Sequence, residues 1–271
     1  MPYIEFKNKK MFYRLEGKGK PVVLIHGFAE DGNVWNEQID SLKENYLLVI
    51  PDLPGSGSSE MLDGKASIED YAEFIKVLAD EIIAKKSEQN NSGFSLIGHS
   101  MGGYITLAFA EKYPELLNSF GLFHSSAYAD SEEKVVTRKK AIDFISKNGT
   151  EAFLKTSVPN LFSEETKKEK PELITQLLNI AKTISPGALI QYYEAMIARP
   201  DRTSVLKTFT KPVLFIAGKF DTAVPLQVSL EQFSMPSISM VHILRHSGHM
   251  GMWEEVTLSN SFLNEFLSAL H

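Results

Sequence analysis

Two kinds of apolar pattern alternate along this chain. Residues 3–6 and 11–15 alternate apolar and polar side chains on either side of Asn8-Lys9-Lys10, which predicts an antiparallel hairpin with one covered face. Six later runs are largely apolar on consecutive positions: residues 21–25, 46–50, 94–97, 120–123, 213–217 and 240–244. Short runs that are apolar on both faces predict strands covered on both sides, as in a parallel sheet. Helical spacing fills most intervals. Ser67 can cap a helix with apolar positions Tyr71, Phe74, Ile75, Leu78, Ile82 and Ile83, with Asp70 as capping-box partner. Another helix begins near residue 104 and is stopped by Pro114, and Phe262, Leu263, Phe266 and Leu267 mark a terminal one.

Strands alternating with helices predict an α/β protein with a mostly parallel, doubly wound sheet behind an N-terminal antiparallel hairpin. The interval 127–207 breaks the alternation, with four helical stripes, no convincing strand, and Pro159, Pro171, Pro186 and Pro200 as punctuation. The expected organisation is a core formed by residues 1–126 and 208–271, with a helical cap, 127–207, inserted after the fourth parallel strand.

Length and charge narrow the function class. The 271 residues suit one such domain, and the net charge of −6 argues against nucleic acid and anionic membrane surfaces as partners. No apolar run approaches the roughly 18 residues of a membrane helix. The N-terminal residues lack the basic-then-apolar layout of a signal peptide, so a cytoplasmic protein is the expectation. The absence of cysteine removes disulfides, thiolate metal sites and cysteine nucleophiles. Lys167-Lys168-Glu169-Lys170 reads as a solvated face.

The chemistry centres on Gly98-His99-Ser100-Met101-Gly102, a G-x-S-x-G sequence between an apolar run and a helical one. Strand, sharp turn and helix are the context of a nucleophile elbow, which holds a serine hydroxyl out at the tip of a sheet. A serine hydroxyl alone is a weak nucleophile and needs a base, an orienting acid and oxyanion donors. In chain order an acid and then a histidine should follow. Asp221 lies just past the fifth core strand and His249 just past the sixth, so both belong to the same sheet edge as Ser100. His249 is the expected base and Asp221 the acid that fixes its tautomer, with Asp130 as a distant alternative. The backbone N–H groups of Phe28 and Met101 are the expected oxyanion donors. His26 and His99 are expected to support the loop and the elbow. His246 and His249 lack a third ligand, so no metal is expected, and nothing suggests a cofactor.

His26-Gly27-Phe28, residues 52–58, Gly98-His99-Ser100-Met101-Gly102-Gly103, residues 218–221 and Gly248-His249 together resemble the α/β-hydrolase superfamily. The resemblance covers the chain apart from the helical insertion, which sits where that family carries its cap. It implies a cofactor-independent serine hydrolase that cleaves an ester or related acyl bond of a small, apolar substrate. A carbon–carbon bond hydrolase and a synthase-like enzyme of the menaquinone pathway would use the same triad, as would a ligand receptor that retains the fold. Ser100 argues against the epoxide hydrolase and haloalkane dehalogenase branches, whose nucleophile is aspartate. A synthase-like enzyme would need basic residues in its pocket, for which Arg138, Arg199 and Arg202 are the candidates. His124, Tyr192, Met196 and Met250 are the expected pocket residues.

Overall fold

The computed structural model describes residues 2–83 and 93–269; residues 1, 84–92, 270 and 271 of the expected core lie outside the described residues. Its strands are β1 (Tyr3–Phe6), β2 (Lys9–Glu16), β3 (Lys20–Ile25), β4 (Tyr46–Pro51), β5 (Phe94–His99), β6 (Leu117–Phe123), β7 (Val213–Gly218) and β8 (Ser239–Leu244). They form one sheet in the order β1-β2-β4-β3-β5-β6-β7-β8. The hairpin joins antiparallel through β2, and β4, β3, β5, β6, β7 and β8 run parallel. Every residue of β4, β5 and β7 is buried, the physical basis of their continuous apolar runs. β8 is an edge strand on which only Leu244 is fully buried, and its runs of exposed and covered positions reflect that place.

Helices cover both faces. Ile68–Leu78, Met101–Lys112 and Thr203–Thr208 build one apolar layer, and Asn36–Leu42 and Val256–Ser268 contribute to the other. The capping box at Ser67 and Asp70 is formed in both directions.

Between β6 and β7 the described chain is helical: Glu132–Ser157, Glu164–Glu169, Pro171–Ala181, Pro186–Ala198 and Thr203–Thr208, with a 3-10 turn at Val158–Leu161. The first of these breaks at Gly149 (φ +80°), so the two stripes expected around Ile145 and Phe153 are two helices meeting at a kink. Pro171 and Pro186 open their helices, where a missing N–H costs nothing. Among the described residues no single helix is long and apolar enough to cross a membrane. The strand order brings the ends of β3, β5, β6, β7 and β8 to one edge of the sheet, beneath this helical insertion.

Candidate active site

Ser100 sits where β5 turns into the helix Met101–Lys112, at φ +51° and ψ −115°. Few side chains other than glycine adopt a positive φ, and a residue held there is strained unless its surroundings fix it. Three bonds do so: Ser100 N–H donates to the Phe123 carbonyl (2.9 Å), Gly103 N–H to the Ser100 carbonyl (2.9 Å), and Ser125 Oγ to that same carbonyl (2.7 Å). A Cβ at Gly98 would lie 2.2 Å from the Gly102 carbonyl oxygen, so the turn admits only glycine there.

Asp221 follows β7 and His249 follows β8. His249 Nδ1 donates to Asp221 Oδ2 at 2.8 Å, with both side chains almost fully buried. Asp221 Oδ1 accepts the N–H groups of Ala223 and Val224, each at 2.8 Å, which fixes the carboxylate plane. Burial pushes the Asp221 carboxyl up, but the His249 imidazole and two histidine hydrogen bonds more than offset this and hold it well below the usual carboxylate range. Ser100 and His249 open onto the same cavity, and the Ser100 hydroxyl makes no hydrogen bond to His249 in this arrangement. Such bonds commonly close only when substrate is bound. Asp130, the alternative acid, is taken by Arg138 and Arg199.

A buried network supports the histidine loop. His99 Nδ1 faces Glu30 Oε2 at 3.0 Å and its Nε2 faces the His249 carbonyl at 2.9 Å. Both partners only accept, so both ring nitrogens must donate and the ring is an imidazolium. Burial opposes that charge, yet Glu30 raises the His99 pKa and His99 lowers that of Glu30. Glu30 Oε2 also accepts the Gly27 N–H at 2.6 Å. One carboxylate and one imidazolium thus tie together the loop after β3, the elbow and the loop carrying His249. His26 braces the same loop by accepting the Leu53 N–H at Nε2 (2.9 Å). Glu30 carries no sequence signal: it stands beside Asp31 in the polar loop that follows Phe28-Ala29.

The N–H groups of Phe28 and Met101 make no hydrogen bond to the described residues, and Phe28 lines the cavity beside Ser100.

The cavity has a volume of about 710 Å³ and is walled by Phe28, Tyr104, Tyr193, Met196, Val224 and other residues of the core and the insertion. Of the expected pocket residues, Met196 lines it and His124, Tyr192 and Met250 do not. Tyr192 turns away, its hydroxyl bonded to Ser56 Oγ and the Pro54 carbonyl, each at 2.8 Å. The next residue, Tyr193, faces the cavity, because successive helical side chains point about 100° apart. Met250 is fully buried behind His249, its N–H held by Glu254. His124 lies under the cavity floor with its Nδ1 3.0 Å from Asp221 Oδ2. The donor atoms of His124, Asp221 and His249 fall within 4.8 Å of one another, the only such grouping among the described residues that could hold a metal ion. Of the three arginines singled out in the sequence, Arg138 and Arg199 line the cavity, while Arg202 pairs with Glu69 and Glu111 elsewhere. Lys134 also lines the cavity and was not foreseen; it lies one helical turn before Arg138.

Comparisons with known proteins agree with this architecture. The family model of the alpha/beta hydrolase fold matches residues 20–256. A pimeloyl-[acyl-carrier protein] methyl ester esterase of Legionella pneumophila is 25% identical over 259 residues, spanning 93% of this chain and 96% of that protein. The 2-hydroxy-6-oxononadienedioate/2-hydroxy-6-oxononatrienedioate hydrolase of Escherichia coli is 26% identical over 263 residues, spanning 93% and 88% of the two chains. A thermophilic esterase from Thermogutta terrifontis, solved with malate bound, superposes with a TM-score of 0.90 at 27% identity, covering 97% of this chain and 94% of that one. With the family model and full-length relatives in agreement, the protein is a hydrolytic enzyme that belongs to the α/β-hydrolase family.

Proposed function

We propose that the protein hydrolyses a carboxylic ester, or a related acyl bond, of a small molecule through an acyl-enzyme on Ser100. His249 takes the hydroxyl proton as Ser100 Oγ bonds to the acyl carbon. The oxygen of the broken carbonyl π-bond carries the negative charge towards the N–H groups of Phe28 and Met101. Collapse of this tetrahedral species expels the leaving oxygen, which receives the proton from His249. Water then attacks the acyl-enzyme with His249 as base again, releasing the acid and restoring the hydroxyl. Asp221 stays ionised throughout, fixes the tautomer and stabilises the imidazolium. The helical insertion, residues 127–207, acts as a cap that keeps water from the acyl carbon.

The observation that carries this proposal is the buried 2.8 Å bond from His249 Nδ1 to Asp221 Oδ2, on a cavity shared with a serine at φ +51°. The esterase names of the Legionella and Thermogutta relatives favour an ester over other acyl bonds. Rapid mixing with a nitrophenyl ester tests it. A burst of about one nitrophenol per protein molecule, absent in Ser100→Ala, is the expected result. A wild type that turns over the ester at the same rate as Ser100→Ala would overturn the proposal.

A further inference from the structure

The charges on the cavity wall go beyond what ester hydrolysis requires. Lys134, Arg138 and Arg199 line the cavity together with the acids Glu30 and Glu133. Glu30 is taken by His99 below the floor, and Glu133 is exposed at the rim. The remaining counter-charge is Asp130, and two arginines divide it: Arg138 Nε reaches Oδ2 at 2.6 Å and Arg199 Nη1 reaches Oδ1 at 2.8 Å. Arg199 is otherwise fixed, with its nitrogens on the Met196 and Tyr128 carbonyls and its guanidinium 3.8 Å from the Tyr104 ring centroid. Its Nε is buried without a hydrogen-bond partner. Arg138 uses Nε and Nη2 on Asp130 and lies with its guanidinium 5.5 Å from the Tyr193 ring centroid, and its Nη1 makes no hydrogen bond to the described residues. Lys134, four residues earlier and so on the same helical face, has only the Ala223 carbonyl, at 2.9 Å, as its bond. A lysine on a carbonyl keeps its full charge and two free donors.

We infer that Lys134 and Arg138 form a carboxylate-binding subsite, so that the substrate is an acyl compound carrying a second, ionised acid group. This rests on the hydrolase reading above and specifies its substrate class. Lys134, Arg138 and Arg199 have the single carboxylate of Asp130 between them, and an anion relieves that excess of positive charge with charge-assisted hydrogen bonds. The remaining Nη1 of Arg138 supplies a directional donor and the Lys134 ammonium a second charge. Tyr104 lies on the same wall: burial pushes its phenol up, yet Arg199, Lys134 and Arg138 together bring it below its ordinary value. The apolar remainder, Phe28, Met196, Tyr193 and Val224, suits the carbon chain joining the two ends. The expectation of a simply apolar substrate is thereby narrowed to one with an apolar middle and an anionic end.

Two nitrophenyl esters of matched length test this, one with an uncharged acyl chain and one a half-ester of a dicarboxylic acid. The expected wild-type kcat/KM favours the half-ester by about 10- to 100-fold, the usual scale for a charge-assisted contact. In Arg138→Gln and in Lys134→Gln that ratio should shrink towards unity, carried by KM. The Lys134 side chain makes a single hydrogen bond, so Lys134→Gln remains informative if Arg138→Gln misfolds. Equal or better turnover of the uncharged ester by the wild type would overturn the subsite while leaving the hydrolase reading intact. A ratio unchanged in both variants would do the same. A wild type inert towards both esters and unreactive at Ser100 would bring down the hydrolase reading itself.

Discussion

His124 and His249 converge on one atom, Oδ2 of Asp221, at 3.0 and 2.8 Å. His124 reaches it from the end of β6, where its backbone is held at φ +51°. Burial lowers its pKa, with Asp221 only partly opposing, so the ring is neutral and donates through Nδ1. Its Nε2 is buried without a partner, and a Cβ at Gly251 would come within 2.4 Å of it, so the slot is cut to this ring. A neutral donor on the shared oxygen draws off negative charge that would otherwise strengthen the pull on His249. The shared oxygen predicts that His124 helps to hold the Asp221 carboxylate in place for His249.

The expected consequence is a loss of rate. His124→Ala removes one of the two histidine donors from Oδ2 of Asp221. The rate should fall about 10- to 100-fold, the usual scale for a group orienting a reactive side chain from behind. His124→Asn, whose amide can replace the Nδ1 donor and which tolerates positive φ, should restore most of it. A rate unchanged in His124→Ala, or no recovery in His124→Asn, would show that the ring only fills space.

The Glu30–His99 pair carries a pH signature in stability. The pKa of His99 is raised above its ordinary 6.5, so its contribution is complete below that pH and is lost as pH rises through the raised value. The pKa of Glu30 is lowered from 4.5, so its contribution is present above that pH and is lost as pH falls through the lowered value. Urea unfolding of the wild type and of the neutral double variant Glu30→Gln/His99→Gln should therefore differ most in the wild type's favour between those limits. The gap should narrow at both ends. A gap that widens steadily to pH 9 would mean that His99 is not the cation described here.

The sheet was legible because burial on two faces leaves an unmistakable composition in β3, β4, β5 and β7, each closing on a loop that carries Gly, His, Ser or Asp. β8 was legible from its apolar run, residues 240–244, but its place at the edge leaves Val241 and Ile243 exposed and only Leu244 fully buried. The elbow was readable because its steric demands fall on neighbouring positions. The pocket was not. Tyr192 and Tyr193 lie in one apolar stripe, and only the rotation of their helix decides which ring faces the cavity. Lys134 was not legible because nothing local marks a helix face that another part of the chain will cover. Glu30 and His124 take their meaning from partners 69 and 97 residues away, a relationship that spacing along the chain does not encode.

The central claim is that Ser100 is the group made reactive by His249, and active-site labelling tests it most directly. Intact-mass measurement after treatment with a fluorophosphonate should show one adduct, located on Ser100. The adduct should be absent in Ser100→Ala and form at least about a thousandfold more slowly in His249→Ala. Equal labelling of Ser100→Ala, or a wild type that stays unmodified, would contradict the account.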